Sequence, residues 1–566
     1  MSEEPDGPLQ EENPEPVPTT EAEPTADATE EETDEAVAAP QEQPQLAEDQ
    51  PGSQVTGSGS RTSRRSRTSM LSAPQEEPWV PPEYRPHDFV SGPEVSEHCP
   101  LGSQTLQFVS HSFGYDCLKA DNLCLLDVKT AMFVSGNLVH FLDLEDRSLS
   151  YMRSSAPGGI GHATVHPGGQ HFAVAEKGDG PRIIVYRWPE RTVYRVLTGG
   201  TQREYAYVAF NASGDLLASQ GGDPDFMLTV WNWETESTLL RCKAFSQDVY
   251  KVTFSPFHPG QLTSAGLGHI KLWKMAKTFT GLKLQGRLGR FGKTEISDIN
   301  GFLQLPDGKV ISGCEWGNIL VWDDALIKVE ITRRDGKPCH NGTIHKFHLE
   351  EGELISLGSD GWVRTWDFDT VDQAEASEEL NGRYALDPMN ELQFAAGSNL
   401  VSMWPHPDPD LESIWFMQDG NGGIWKADLS FSMTTRGPER LYECPAGPLR
   451  ALVACPTGPL MAATGDDGHI AVFNYRRREL LVRSRFPAGG TTLIWLSAEV
   501  CGKTSQLLAG FADGCLRLVE LHAAARKGAF GLSLVYVQKP HTAPITVMKQ
   551  SPSVSWRSSA SHMLLR

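Results

Sequence analysis

The sequence predicts an all-β chain. We expect a seven-bladed β-propeller, the start of a second and incomplete one, and a disordered acidic N-terminus. Three observations carry this. Short hairpins ending in an aromatic residue recur about every 45 residues, each copy reads as brief strands split by Pro/Asn/Gly/Asp turns, and the acidity is confined to the first 50 residues.

The leader, residues 1–95, holds 17 Asp/Glu and no Lys/Arg within its first 50 positions. Such a segment lacks the apolar side chains needed to offset chain entropy and is expected to be disordered. The rest of the chain carries 50 Lys/Arg against 55 Asp/Glu (72 less 17), so the net charge of −22 describes the tail and not the folded part. No basic domain for nucleic acid follows from this balance. The N-terminus lacks the basic start and apolar core of a signal peptide, and no apolar run reaches 18 residues, so no membrane contact is expected. Within the leader, Gly57 to Ser69 switches to Arg and Ser. It reads as a solvated basic linker, with phosphorylation by a basophilic kinase as the functional alternative. Pro74 to Pro93, with Trp79, Tyr84 and Phe89, reads as an extended strap.

The repeat unit is clearest at 342–368. Thr343 to Leu349 alternates apolar and polar residues, Glu353 to Leu357 forms a second run, and Trp362 to Phe368 a third. Asp360-Gly361 suits a tight two-residue turn between the last two. The third run recurs with anchors at Phe141, Tyr186, Trp231, Trp273, Trp322, Trp366, Trp425, Phe473 and Val519. Their spacings are 45, 45, 42, 49, 44, 59, 48 and 46 residues, the period of a four-stranded blade. Matching first strands precede four anchors, at 207, 252, 301 and 451. Seven anchors complete a ring over 100–435, and the 59-residue interval is assigned to the Pro-rich insertion Trp404 to Trp415. Residues 436–550 hold two further blades and one strand, and 551–566 form a tail with no hairpin of their own. The array is expected to end inside a blade, its open edges mobile or aggregation-prone.

The chemistry-bearing motifs fail on spacing. Gly292-Lys293-Thr294 and Gly502-Lys503-Thr504 lack the glycine a phosphate loop needs five residues earlier; Arg287 and Ser497 stand there. His340, His345 and His348 do not converge in a strand, so no metal site is expected. There is no GxSxG elbow, no CxxC pair, and no catalytic or cofactor-binding constellation. The ten cysteines read as reduced and mostly buried. Tyr186, Trp231, Trp273, Trp322, Trp366, Trp425 and Phe473 are assigned to blade cores, while Trp316 and Trp362, in or beside turns, are candidates for an exposed partner surface. Arg476-Arg477-Arg478 reads as a solvated turn.

Trp-Asp at 322–323 and 366–367, Ser-Asp-Gly at 359–361 and Gly161-His162 resemble the WD-repeat family. The run Gly313-Cys314-Glu315-Trp316-Gly317-Asn318 followed by ILVWDDALIKVE, and Gly358 to Arg364 with its Trp366-Asp367-Phe368 ending, resemble the family's ciliary and flagellar tether members with tandem propellers. That resemblance implies ring closure, Asp360 and Gly361 as blade-holding residues, and a non-enzymatic scaffold of the cytoplasm, cytoskeleton and axoneme. Its implied partners are a sister WD-repeat tether subunit, inner-arm dynein and the axonemal microtubule doublet. Those members continue into a full second propeller and a coiled-coil tail, so a shortened form is expected here. The alternative is a microtubule-associated tandem-propeller protein of the echinoderm-like class, which usually carries a basic leader.

Overall fold

A computed structural model describes residues 111–154, 158–279, 281–432, 436–497, 505–524, 529–550 and 563–565. The leader, its Arg/Ser stretch and the Pro74–Pro93 strap lie outside them. Nine antiparallel sheets follow one another along the chain, at 124–153, 160–198, 205–243, 249–288, 302–332, 344–393, 400–443, 449–485 and 490–538. Each is laid down strand by strand in sequence order, as a propeller blade is. We number them blades 1 to 9; all fall in one compact unit.

All nine anchors fall on the third strand of their blades, from Phe141 in Leu138–Asp143 to Val519 in Leu516–Ala523. The blades pack face to face through these strands and their neighbours. Ala173, Ala175 and Val185 of blade 2 share one cluster with Val208, Leu217 and Trp231 of blade 3. Inner strands come so close that a Cβ on Gly161 would lie 1.8 Å from the carbonyl oxygen of Tyr205, so only glycine fits there. Blade 7 meets blade 1 in the same manner. Phe416, Ile424 and Leu441 pack with Ala131, Phe133 and Leu142, and Arg147 is ion-paired to Glu439. Seven blades thus run from 124 to 443 and return to their start.

Blades 8 and 9 pack on one another around Val472, Trp495, Leu507 and Phe511. They touch the ring through Phe473, whose ring lies 4.6 Å from Phe113, and through Arg483, which donates to the carbonyls of Asn421 and Cys444 at 2.7 and 2.6 Å. The innermost strand of blade 8, Leu449–Ala454, leaves Leu449 and Leu452 54% and 64% exposed, whereas Val208 and Val252 on the equivalent strands of blades 3 and 4 are wholly buried.

Three sequence expectations are corrected. The Ser359-Asp360-Gly361 connection is a three-residue loop between Glu353–Gly358 and Trp362–Asp367, closed by the Gly361 N–H on Gly358 O with Gly361 at φ +76°. The long anchor interval is not owed to Trp404–Trp415, whose two tryptophans lie in the strands Leu400–Pro405 and Ile414–Asp419 and whose loop is only 406–413. The excess lies at 368–389, where Asp367 caps a short helix, Phe368–Asp372, and Arg383–Ala385 then pairs in parallel onto the outer edge of blade 5. Finally, Met563–Leu565 pairs antiparallel with Met548–Gln550, although the tail shows no hairpin signal in sequence.

Candidate functional site

The third-strand anchors follow one pairing rule. In a ladder, the residue two positions beyond a directly opposed partner lies on the same face and within diagonal reach. Trp231 opposes Leu217, and its indole N–H donates to Ser219 Oγ at 2.8 Å. Trp273 reaches Ser264, Trp322 reaches Ser312 and Trp366 reaches Ser356 by the same diagonal, each at 2.8 Å. Trp425 reaches Asp419 Oδ2 at 3.1 Å. Where the anchor has no indole N–H, the diagonal residue is apolar. Phe141, Tyr186, Phe473 and Val519 oppose Met132, Phe172, Met461 and Leu507, which places Val134, Val174, Ala463 and Ala509 there. A buried donor without an acceptor would cost about 1–3 kcal/mol, which is why the two positions change together.

Blade 6 extends this pair into a network that has a hydrolase's residue types. His340 Nε2 lies 2.7 Å from Ser356 Oγ, and His340 Nδ1 lies 3.0 Å from Asp360 Oδ1. Burial opposes the charge on Asp360, yet the hydrogen bond from His340, the Asn341 N–H and the Arg364 guanidinium hold its carboxyl well below the usual carboxylate range. Ser356 and His340 are completely buried, and Ser356 Oγ accepts from Trp366. A nucleophile needs a lone pair facing substrate; this hydroxyl is enclosed, so the network locks the loop onto the blade. Asp360 and Gly361 sit in that locked loop.

Trp316 and Trp362 do not form an open patch. Both are half-buried: the Trp316 indole donates to Glu330 Oε1 at 3.0 Å, and the Arg364 guanidinium covers Trp362 at 4.9 Å. The Arg476–Arg478 loop is exposed, as its composition predicts.

The centre of the ring holds what sequence reading misses. Residues 117–121 cross it ahead of blade 1. Asp121 is 6% exposed at φ +47° and is bound from four directions. Lys251 of blade 4 lies 2.7 Å and Lys346 of blade 6 lies 2.9 Å from its carboxylate. Tyr207 of blade 3 and Ser402 of blade 7 donate to it, each at 2.6 Å. Burial alone would raise the Asp121 pKa, but the two ammonium groups hold it well below the normal range. Its neighbours bind blades 2 and 7: Lys119 Nζ donates to Ile160 O at 2.6 Å, His162 Nε2 lies 3.1 Å from Ala120 O, and Gln418 donates to the carbonyls of Cys117 and Lys119 at 2.7 Å. Among the described residues no strand is shared between the first blade and the last, and this segment instead binds blades 2, 3, 4, 6 and 7 through side chains. Lone polar residues in a loop give no signal of this kind.

Among the described residues no group of His, Cys, Asp and Glu is arranged to hold a metal, the cysteines are free thiols, and no helix is long and apolar enough to cross a membrane.

No family model matches the chain. It is 48% identical over 472 residues to Cilia- and flagella-associated protein 44 of Mus musculus, covering 81% of this chain and 25% of that one. Cilia- and flagella-associated protein 44 of Chlamydomonas reinhardtii is 38% identical over 457 residues, covering 77% and 25%. Echinoderm microtubule-associated protein-like 2 of mouse is 28% identical over 304 residues, covering 51% and 45%. The chain therefore spans about a quarter of the length of the first two of these curated relatives.

Proposed function

We propose, for a chain that belongs among the relatives of cilia- and flagella-associated protein 44, that it is a non-enzymatic scaffold of the motile cilium or flagellum. The observation that carries this reading is the similarity to the mouse relative over 472 residues, more than the nine blades occupy. In this reading the propeller sits on the axonemal microtubule doublet, binds a sister WD-repeat subunit and tethers the motor head of an inner-arm dynein, supporting ciliary beating and sperm motility. The geometry is in keeping with a mechanical part: the Ser, His and Asp side chains of blade 6 are spent on holding the blade, and Asp121 braces the ring from inside. A rigid array that presents surfaces to partners needs no cofactor. The microtubule-associated alternative rests on a similarity of 28% over 51% of the chain, which supports it less.

The test is to express a tagged chain in multiciliated cells and image it, then extract the axonemes with salt. The tag is expected along the axoneme, with inner-arm dynein co-purifying. A signal diffuse in the cytosol and absent from cilia would overturn the reading.

A further inference from the structure

Blade 4 departs from its neighbours in the length of its outer hairpin. Its third strand, His269–Thr278, has ten residues, against six in blades 2, 3 and 6. With Gly281–Leu288 it projects past the point where the sheet is covered, and every residue of the outer strand but Leu284 is exposed. Phe279, near the tip, is fully exposed, and Leu282 and Leu288 are 38% and 48% exposed.

The charge of this hairpin departs from that of its surroundings. Residues 269–294 carry seven Lys/Arg and no Asp/Glu, in a chain that beyond its first 50 residues is near balance, 50 Lys/Arg to 55 Asp/Glu. Two of the seven are engaged: Lys271 donates to Ala244 O, and Arg287 pairs with Asp324. Lys274, Lys277 and Lys283 are exposed and have no acidic partner among the described residues. The outer strand of blade 3, Ser237–Lys243, runs alongside and adds exposed Arg241 and Lys243. The cleft between blades 1, 7 and 8 is also basic, but its Arg147, Arg477 and Arg483 are already paired with Glu439, Glu479 and Glu443.

We propose that this hairpin is a docking site for a glutamate-rich polypeptide segment, taken up in extended form along the edge of Gly281–Leu288. Charge complementarity selects the acidic partner. The edge selects the extended form, because the strand is the outermost of its sheet and offers main-chain groups to an added strand. The outer edge of blade 5 is used in this way within the chain itself, where Arg383–Ala385 pairs onto Leu326–Thr332. A lysine array with one exposed phenylalanine lacks the repeated stacking platforms that single-stranded nucleic acid uses. The inference requires only the hairpin and stands apart from the ciliary reading.

The experiment uses the full chain and a fluorescent decaglutamate peptide, read by anisotropy at low and at moderate salt. Saturable binding is expected, weakened by added salt and at least tenfold by K274E/K277E/K283E, a surface variant whose unfolding midpoint should match the wild type. Amide exchange at Gly281–Leu288 should slow when peptide is added. The proposal is overturned if the wild type does not bind, if the triple variant binds equally well, or if those amides gain no protection. Tighter, variant-sensitive binding of a ten-nucleotide polythymidine or of phosphatidylserine vesicles would overturn it in favour of nucleic acid or membrane.

Discussion

Trp366 donates its indole N–H to Ser356 Oγ at 2.8 Å, and this one contact joins the packing of blade 6 to its polar network. Trp366→Ala is expected to cost about 3–5 kcal/mol, as truncating a buried aromatic does. Trp366→Phe keeps the ring but loses the donor and should cost nearer 1 kcal/mol, because Ser356 retains His340. Half-buried Trp362 should tolerate alanine far better. Denaturant unfolding of the three variants gives the ranking, and equal losses for Trp366→Ala and Trp362→Ala would refute it.

Asp121→Ala removes the carboxylate between Lys251 and Lys346 and leaves two ammonium groups facing each other in the ring's interior. Breaking a buried pair on one side costs about 3–5 kcal/mol. Adding Lys251→Met and Lys346→Met to that variant should recover part of the loss, since unpaired charge is what destabilises. A triple variant less stable than Asp121→Ala alone would show that the lysines matter by packing.

Acid should loosen the blades before carboxylates titrate. Burial pushes His140 and His162 from 6.5 down to about 4, and both are buried. Between those values the unfolded chain binds protons that the folded chain refuses, so stability falls as pH drops from about 6.5 to 4. The Asp121 contribution is lost only below the ordinary carboxylate range, because its folded pKa lies under its unfolded one. Thermal midpoints measured across pH 7.5 to 4 should decline through this window. A flat profile would contradict the neutral, buried state of these histidines.

Much of this organisation is legible in the sequence because it is local. An anchor every 45 residues, a turn before it and an acceptor on the preceding strand are set by neighbours in the chain, and Trp231, Trp273, Trp322 and Trp366 obey them. Asp121 is illegible for the opposite reason. Its partners Tyr207, Lys346 and Ser402 lie 86, 225 and 281 residues away, and nothing in its own loop marks it. The added strand Arg383–Ala385 pairs across blades, so its short run carries no periodicity. Trp316 and Trp362 look exposed from their turns, but Glu330 and Arg364 reach over them.

We propose that the chain divides near residue 435 into a closed ring and a less stable two-blade array. Leu449 and Leu452 are exposed on an inner strand, and Leu534, Val535, Tyr536 and Val537 on an outer one. Blades with a neighbour missing lose interface energy. Hydrogen exchange on the isolated chain should therefore run faster over 449–538 than over 205–288. Equal protection would mean that the contacts of Phe473 and Arg483 suffice to close the array.

The tether role is tested most directly by electron cryo-tomography of axonemes from cells lacking this protein, beside axonemes restored with the full chain. Density next to the motor head of one inner-arm dynein is expected to be lost, with that head displaced, and both are expected to recover on restoration. An undisturbed head and tether, with the change located elsewhere or absent, would contradict that role.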